Sequence, residues 1–310
     1  GSNLCSDYDL EMRSTMFGRE LGRDGRSDKD LLNEALKAAR KSDVVVAALG
    51  ESSEMSGESS SRSDISIPDV QKTLLKELLK LGKPVVLVLF DGRPLTIEWE
   101  SENVPAILNV WFGGSEAGYS IADVLFGDVN PSGKLAMTFP KNVGQIPLYY
   151  AHKNTGRPLE GPNGTDKWFI KFRSNYLDVD NDPVYPFGYG LSYTTFEYGP
   201  VQLSSDSMSG TGSIKASVEV KNTGKVMGKE VVQMYIQDVK ASVSRPLREL
   251  KGFEKVSLAP GESMVVSFEI SADALKFWNQ QMEYGAESGE FKVFIGGDST
   301  TKNSASFVLL

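Results

Sequence analysis

Residues Val110–Pro140 read VWFGGSEAGYSIADVLFGDVNPSGKLAMTFP, and they decide the fold class. A buried-type strand ending near Phe112 runs into Gly113-Gly114, and a helix rich in small residues follows. At Gly127 the helix gives way to Asp128-Val129-Asn130-Pro131-Ser132-Gly133, where Asp and Asn favour a turn, Pro fixes φ and Gly relieves strain. The segment after Gly133 then reads as a further strand. A strand, a tight βα turn, a helix and a returning strand make up the order an α/β layer needs.

Working outward toward the N-terminus, the same alternation continues. Ser27 or Asp28 caps a helix whose apolar positions Leu32, Ala35, Leu36 and Ala39 fall at helical spacing. Val44–Leu49 is a continuous apolar run, as expected of a strand covered on both faces. A loop rich in Ser and Glu follows from Gly50 to Asp64. Pro68 opens a second helix running through Leu81, with Gly82 as its left-handed cap. Pro84–Phe90 and Ala106–Phe112 are two more buried strands, so a mostly parallel sheet sandwiched by helices is predicted.

Beyond Pro140 the pattern changes. Residues 147–186 are rich in Tyr, Asn, Gly and Pro and read as a long ordered connection. From Phe196 the apolar residues alternate in Ile214–Val220, Val231–Gln237, Arg248–Val256, Met264–Ile270, Phe291–Ile295 and Ser304–Leu309. Asn222-Thr223-Gly224 and Pro260-Gly261-Glu262 mark turns between them. Short alternating strands of this kind predict an all-β sandwich of fibronectin III or immunoglobulin type. The expected division is an entering arm (1–27), an α/β domain (28–158), an ordered linker (159–195) and the sandwich (196–310).

Composition narrows the chemistry. A length of 310 residues suits two domains. The net charge of −8 opposes nucleic acid as a partner, because phosphate binding draws on clustered Lys and Arg. The longest apolar run, Val85–Phe90, is far too short to span a bilayer, so no membrane partner is expected. Cys5 and His152 stand alone in their residue types, which excludes a disulfide within the chain and leaves a Cys/His zinc site short of ligands. No EF-hand spacing appears either, so neither metal nor organic cofactor is expected. The chemistry therefore runs on carboxylates, hydroxyls or one imidazole.

Four segments carry a resemblance. The first is Val44-Val45-Val46 to Gly50-Glu51 with the Ser-rich loop and Arg62-Ser63-Asp64-Ile65-Ser66-Ile67-Pro68. The second is Gly82-Lys83-Pro84 through Asp91-Gly92-Arg93-Pro94. The third is the opening passage extended through Gly144-Gln145-Ile146-Pro147-Leu148-Tyr149-Tyr150. The fourth joins Asn154-Thr155-Gly156-Arg157-Pro158 to Tyr185-Pro186-Phe187-Gly188-Tyr189-Gly190-Leu191-Ser192-Tyr193-Thr194. With the sandwich they cover nearly the whole chain in order, and the chain resembles the C-terminal part of a family 3 glycoside hydrolase, particularly the bacterial periplasmic β-glucosidases.

The resemblance implies retaining hydrolysis of terminal non-reducing β-D-glucosyl residues, which takes two carboxyl groups about 5–5.5 Å apart. It also implies that the nucleophilic Asp belongs to an N-terminal barrel domain, and that the acid/base Glu sits on the loop after the first sheet strand. By register against Ser61-Arg62-Ser63-Asp64, Glu58 takes that role, with Glu54 as the fallback; Glu51 sits too near the strand. Arg62 is a candidate substrate contact oriented by Asp64, against the plainer reading of the two as a loop-closing ion pair. Without its barrel partner the Gly50–Asp64 loop is expected to be poorly ordered, or ordered by homo-oligomer formation through the surface left open, and the chain alone is expected to be inactive. A periplasmic or secreted bacterial location is implied by resemblance only.

Several other readings compete. Trp111 and Phe112 offer a sugar-stacking face, although a position after a buried strand favours packing. Asp91-Gly92-Arg93-Pro94 reads as a strand-to-loop turn, with Arg93 facing the barrel. Ser115 lies between strand and helix like a nucleophile elbow, with Asp128 and His152 following in the chain order of a serine hydrolase, but Ala117 replaces the last glycine of the motif. The sandwich on its own is also a candidate carbohydrate-binding or structural module. Its aromatics Tyr235, Phe253, Phe268, Trp278 and Tyr284 are expected mostly at core positions.

Overall fold

A computed structural model describes residues 25–52, 55–158 and 171–310. They form two compact units, one holding the described residues up to Ala122 with Phe139–Ile146, the other Asp123–Thr138 with Pro147–Leu310. The entering arm up to residue 24 and Glu54 lie outside the described residues.

The first unit is an α/β layer. Helix α1 (Asp28–Arg40) starts where Ser27 Oγ accepts a hydrogen bond from the Asp30 amide at 3.2 Å, a side-chain cap for one of the orphan N–H groups of the first turn. It buries Leu31, Leu36 and Ala39, so the deepest stripe starts one residue earlier than the spacing suggests. Strand β1 (Val45–Gly50), helix α2 (Asp69–Leu79), strand β2 (Val85–Phe90), helix α3 (Glu98–Asn103) and strand β3 (Ala106–Asn109) follow. The strands pair in parallel in the order β1-β2-β3, in register from Val45↔Val85 to Gly50↔Phe90 and from Val86↔Ala106 to Leu89↔Asn109. Central strand β2 has Leu87, Val88 and Leu89 buried to within 1% of exposure, as a parallel strand covered on both faces requires. Gly82 takes φ +68 beyond α2, the left-handed position a glycine cap accommodates.

The opening passage departs from expectation on both sides of its helix. Strand β3 stops at Asn109, because Trp111 turns to φ +47 and cannot continue it. Helix α4 (Ala117–Phe126) forms as read, yet none of its residues is buried, and Tyr119 and Phe126 are 75% and 85% exposed. No regular strand follows the Asn-Pro-Ser-Gly turn. Leu135 instead exchanges backbone hydrogen bonds with the glycine-rich segment ahead of the sandwich, accepting from Gly188 N and donating to Tyr189 O. The Asn130 side chain holds the turn by accepting from Ser192 Oγ and Tyr193 N and donating to Met227 O.

The second unit is a β-sandwich. Strands β4 (Phe196–Tyr198), β5 (Gln202–Leu203), β6 (Ser207–Met208), β7 (Ser213–Asn222), β8 (Gly228–Asp238), β9 (Glu249–Leu258), β10 (Ser263–Ser271), β11 (Phe277–Trp278), β12 (Tyr284–Gly285), β13 (Gly289–Gly296) and β14 (Ser304–Leu309) build it. One sheet runs β10-β7-β4 with β5 also on β7, and the other runs β6-β14-β13-β8-β9. Their inner faces meet in one core, with Ile214, Ala216, Val218 and Val220 of β7 packed with Val232, Met234 and Ile236 of β8 and Phe291, Val293 and Ile295 of β13. Those residues alternate along β7, which is the period-2 pattern the sequence displays. Among the aromatics assigned to packing, Tyr235 is fully buried and Phe268 lies against the core. Phe253, Trp278 and Tyr284 are 68%, 58% and 56% exposed instead. Trp278 and Tyr284 sit on the separate β11-β12 hairpin, off the sandwich faces where alternation governs burial.

A single polar residue ties the sandwich turns together. Asn222 is fully buried, donating to Val226 O and Leu258 O and accepting from Thr194 Oγ1 and Gly224 N. Its removal leaves several buried groups without partners, so Asn222→Ala is expected to cost about 3 kcal/mol. Chemical denaturation followed by intrinsic fluorescence measures it, and a loss under about 0.5 kcal/mol would contradict the assignment.

Candidate active site

The candidate site lies at the C-terminal ends of the parallel strands, where α/β sheets gather functional loops. It begins with a backbone constraint at Gly50, the last residue of β1, whose φ is +132. A Cβ there would meet Phe90 O at 1.9 Å, so only glycine lets the chain leave the sheet in this direction. Gln71 of α2 satisfies the freed peptide on both sides, accepting from Gly50 N at 2.8 Å and donating to Gly50 O at 3.0 Å.

The turn delivers Glu51 into the protein. Its side chain is 1% exposed and holds a charge that burial makes costly unless it is matched. Arg62 Nη1 donates to Glu51 Oε1 at 2.8 Å, and Arg93 Nε lies 3.0 Å from the same oxygen, an ion pair whose angle falls short of a hydrogen bond. Gly92 N donates to Oε2 at 3.1 Å. The guanidiniums continue outward: Arg62 Nη2 donates to Ser66 O at 3.0 Å, and Arg93 Nη2 donates to Met55 O at 2.6 Å and Ser60 O at 2.9 Å. The described part of the loop is thus tied to the ends of β1 and β2. Arg93 turns into this loop, a role that its place in a strand-to-loop turn did not disclose.

Glu58 occupies the tip. It is exposed, between Gly57 at φ +138 and Ser59 at φ +61, in a turn closed by Ser60 N donating to Gly57 O at 3.3 Å. Among the described residues its carboxylate makes no hydrogen bond or ion pair. Arg62 pairs with Glu51 rather than with Asp64, which instead accepts the Ser66 amide at 2.8 Å. That hydrogen bond holds the Asp64 carboxyl below its usual range.

Asp91 is the residue the sequence reading passed over. It follows β2 directly, is 2% exposed, and has its pKa pushed up to about 8, chiefly by burial and further by the Glu51 charge. With its amide turned to satisfy both neighbours, Asn109 donates to Asp91 at 2.9 Å and accepts from Trp111 Nε1 at 3.1 Å. Trp111 packs edge-on against Phe139, with ring centroids 5.7 Å apart, whereas Phe112 is 73% exposed. A carboxylate immediately after an all-apolar parallel strand was the available signal for Asp91. No cluster of His, Cys, Asp and Glu suited to a metal ion occurs among the described residues. Asp128 and His152 make no hydrogen bond to each other, and His152 Nδ1 faces the Lys153 carbonyl at 3.3 Å, so the base lacks the orienting carboxylate a serine triad uses.

The first unit is thus an α/β layer with carboxylates gathered at its strand ends, and the second is a fibronectin-like sandwich. The C-terminal domain model of glycosyl hydrolase family 3 matches residues 9–193, a fibronectin type III-like domain matches residues 230–299, and the chain belongs to family 3. It is 53% identical over 312 aligned residues to the periplasmic beta-glucosidase of Salmonella typhimurium, covering 100% of this chain and 40% of that protein. A beta-xylosidase of Formosa agariphila is 46% identical over 87% of this chain and 36% of its own length. The crystal structure of a beta-glucosidase from Listeria innocua in complex with glucose superposes with a TM-score of 0.85 at 43% identity, covering 94% of this chain and 39% of that one. The chain therefore spans about two fifths of the length of these relatives.

The raised pKa of Asp91 sets a pH dependence of stability. The folded protein keeps a proton that the unfolded chain releases above its ordinary value of 3.8, so stability falls as pH rises from about 4 toward about 8. Asp91→Asn removes that penalty. It is expected to match the parent in thermal unfolding at pH 4 and to exceed it by about 1–3 kcal/mol at pH 8. A variant equally displaced at both pH values would contradict the account.

Proposed function

We propose that this chain is the acid/base half of a retaining β-glucosidase, with residues 28–158 forming the catalytic α/β domain and residues 196–310 an accompanying β-sandwich. The observation that carries the reading is the turn holding Glu58, which projects an uncommitted carboxylate from a loop anchored at the strand ends. In this role Glu58 protonates the departing glycosidic oxygen while a nucleophilic Asp attacks the anomeric carbon, and then takes a proton from the water that releases the sugar. In this reading the Asp comes from an N-terminal barrel domain outside this chain, which spans about two fifths of its relatives' length. Glu54, the fallback for the acid/base role, lies outside the described residues.

Two further observations support a missing partner. Helix α4 is apolar yet buries none of its residues, and large side chains such as Phe112, Tyr119 and Phe126 stand in water. Patches of that kind ordinarily mark an interface. The Salmonella relative's periplasmic location suggests the same compartment for the parent protein. The xylosidase relative keeps xylosides beside glucosides as candidate substrates.

A second reading rests on the exposed Trp278–Tyr284 pair, whose ring centroids lie 5.2 Å apart on the β11-β12 hairpin. Such a pair offers apolar faces for sugar rings, which would make the sandwich a carbohydrate-binding module. Affinity electrophoresis through soluble β-glucans tests it. Retardation lost in Trp278→Ala supports binding, and unchanged mobility removes it.

The purified 310-residue chain is expected to turn over no 4-nitrophenyl β-glucoside. In the barrel-containing protein, Glu58→Gln should lower kcat/KM by about 10²–10⁴-fold. A clear rate from the chain alone, abolished by Glu58→Gln, would overturn the division of labour. A full-length enzyme indifferent to Glu58→Gln would overturn the acid/base assignment.

A further inference from the structure

Arg93 stands immediately after Asp91-Gly92, outside the loop that carries Glu58, yet it makes contacts on both sides of that loop's tip. One terminal nitrogen, Nη2, donates to Met55 O at 2.6 Å and to Ser60 O at 2.9 Å. Those carbonyls flank Ser56–Ser59, so a single planar group spans the base of the turn. The same guanidinium is fixed from behind by buried Glu51, 3.0 Å from Nε, and Glu51 is fixed in turn by Arg62 and by Gly92 N. Gly92 closes the other flank, because a Cβ there would meet Ser56 Oγ at 1.9 Å and Phe112 Cζ at 2.6 Å.

We propose that Arg93 is a positioning residue for Glu58, setting the height and direction of the acid/base carboxyl through the two carbonyls it bridges. The proposal rests on the reading of Glu58 given above. Simple neutralisation of Glu51 does not account for the geometry, since Arg62 already gives that carboxylate an aligned hydrogen bond. The turn also contains a non-glycine residue, Ser59, at φ +61 next to Glu58, a conformation that persists only where the surroundings over-determine it. Arg93 supplies that determination from outside the turn. Lysine at this position keeps the charge but loses the planar fork, so it is not a conservative replacement.

The test separates positioning from general support by the leaving group. In the full-length enzyme, kcat/KM is measured for phenyl β-glucoside, whose leaving group needs a proton, and for 2,4-dinitrophenyl β-glucoside, whose leaving group does not. Misplacing an acid by about 1 Å costs on the order of 10²-fold. Arg93→Met is therefore expected to lose about 10²-fold on the phenyl substrate and under about 10-fold on the dinitrophenyl one, with Arg93→Lys between it and the parent. Glu58→Gln is run alongside. Equal loss on both substrates, or no loss on either, overturns the positioning role. If Glu58→Gln itself shows no dependence on leaving group, the acid/base reading fails first and takes this proposal with it. Hydrogen–deuterium exchange on the 310-residue chain gives a readout independent of activity. Amides of Gly57–Ser61 should exchange faster in Arg93→Met while the β-sandwich amides keep the parent's protection, and unchanged exchange in the loop would refute the clamp.

Discussion

Burial of the Glu51 carboxylate is the constraint around which the first unit is arranged. A charge with 1% side-chain exposure needs matching positive groups, and the matching groups come from both sides of the loop. Arg62 brings the far end of the loop back to the sheet, and Arg93 brings in the segment after β2. Removing either arginine leaves Glu51 less well compensated, so the loop, the sheet edge and the adjoining turn behave as one unit. The contacts that match the charge also hold the described residues of the loop against the ends of β1 and β2.

The neighbouring Asp91 shows the same edge meeting its electrostatic limit. The arginines serve Glu51 and not Asp91, so burial, reinforced by the Glu51 charge, raises the Asp91 pKa to about 8 and favours its protonated form near neutral pH. Asn109 then links it to the Trp111 indole. The ends of β1, β2 and β3 are therefore joined by polar contacts that run across the strands, while the apolar residues of β2 hold the layer beneath them.

Most of the fold was legible because it is written in periodicity. Ser27 reads as a cap and is one, the run Pro84–Phe90 reads as a buried strand and is one, and alternation along β7 gives the sandwich face directly. The failures share a cause: they concern residues whose fate is decided by distant partners. Phe253 has the alternation of a core residue but faces outward, and Lys134–Pro140 has strand composition but is held by the Gly188–Tyr189 backbone instead. The loop's place was recognisable from its composition and its motif register. Its wiring was not, because Arg93 and Met55 are separated by 38 positions, a contact no local pattern encodes.

Helix α4 has a consequence for what stability means here. A helix of apolar residues covered at best in part, along Ala117, Ile121, Ala122, Val124 and Leu125, contributes backbone hydrogen bonds but gains little of the burial that normally makes short helices persist in water. A partner that covered it would bind the folded form and not the unfolded one. By mass action such a partner would raise the melting temperature of this chain as its concentration rises above its dissociation constant.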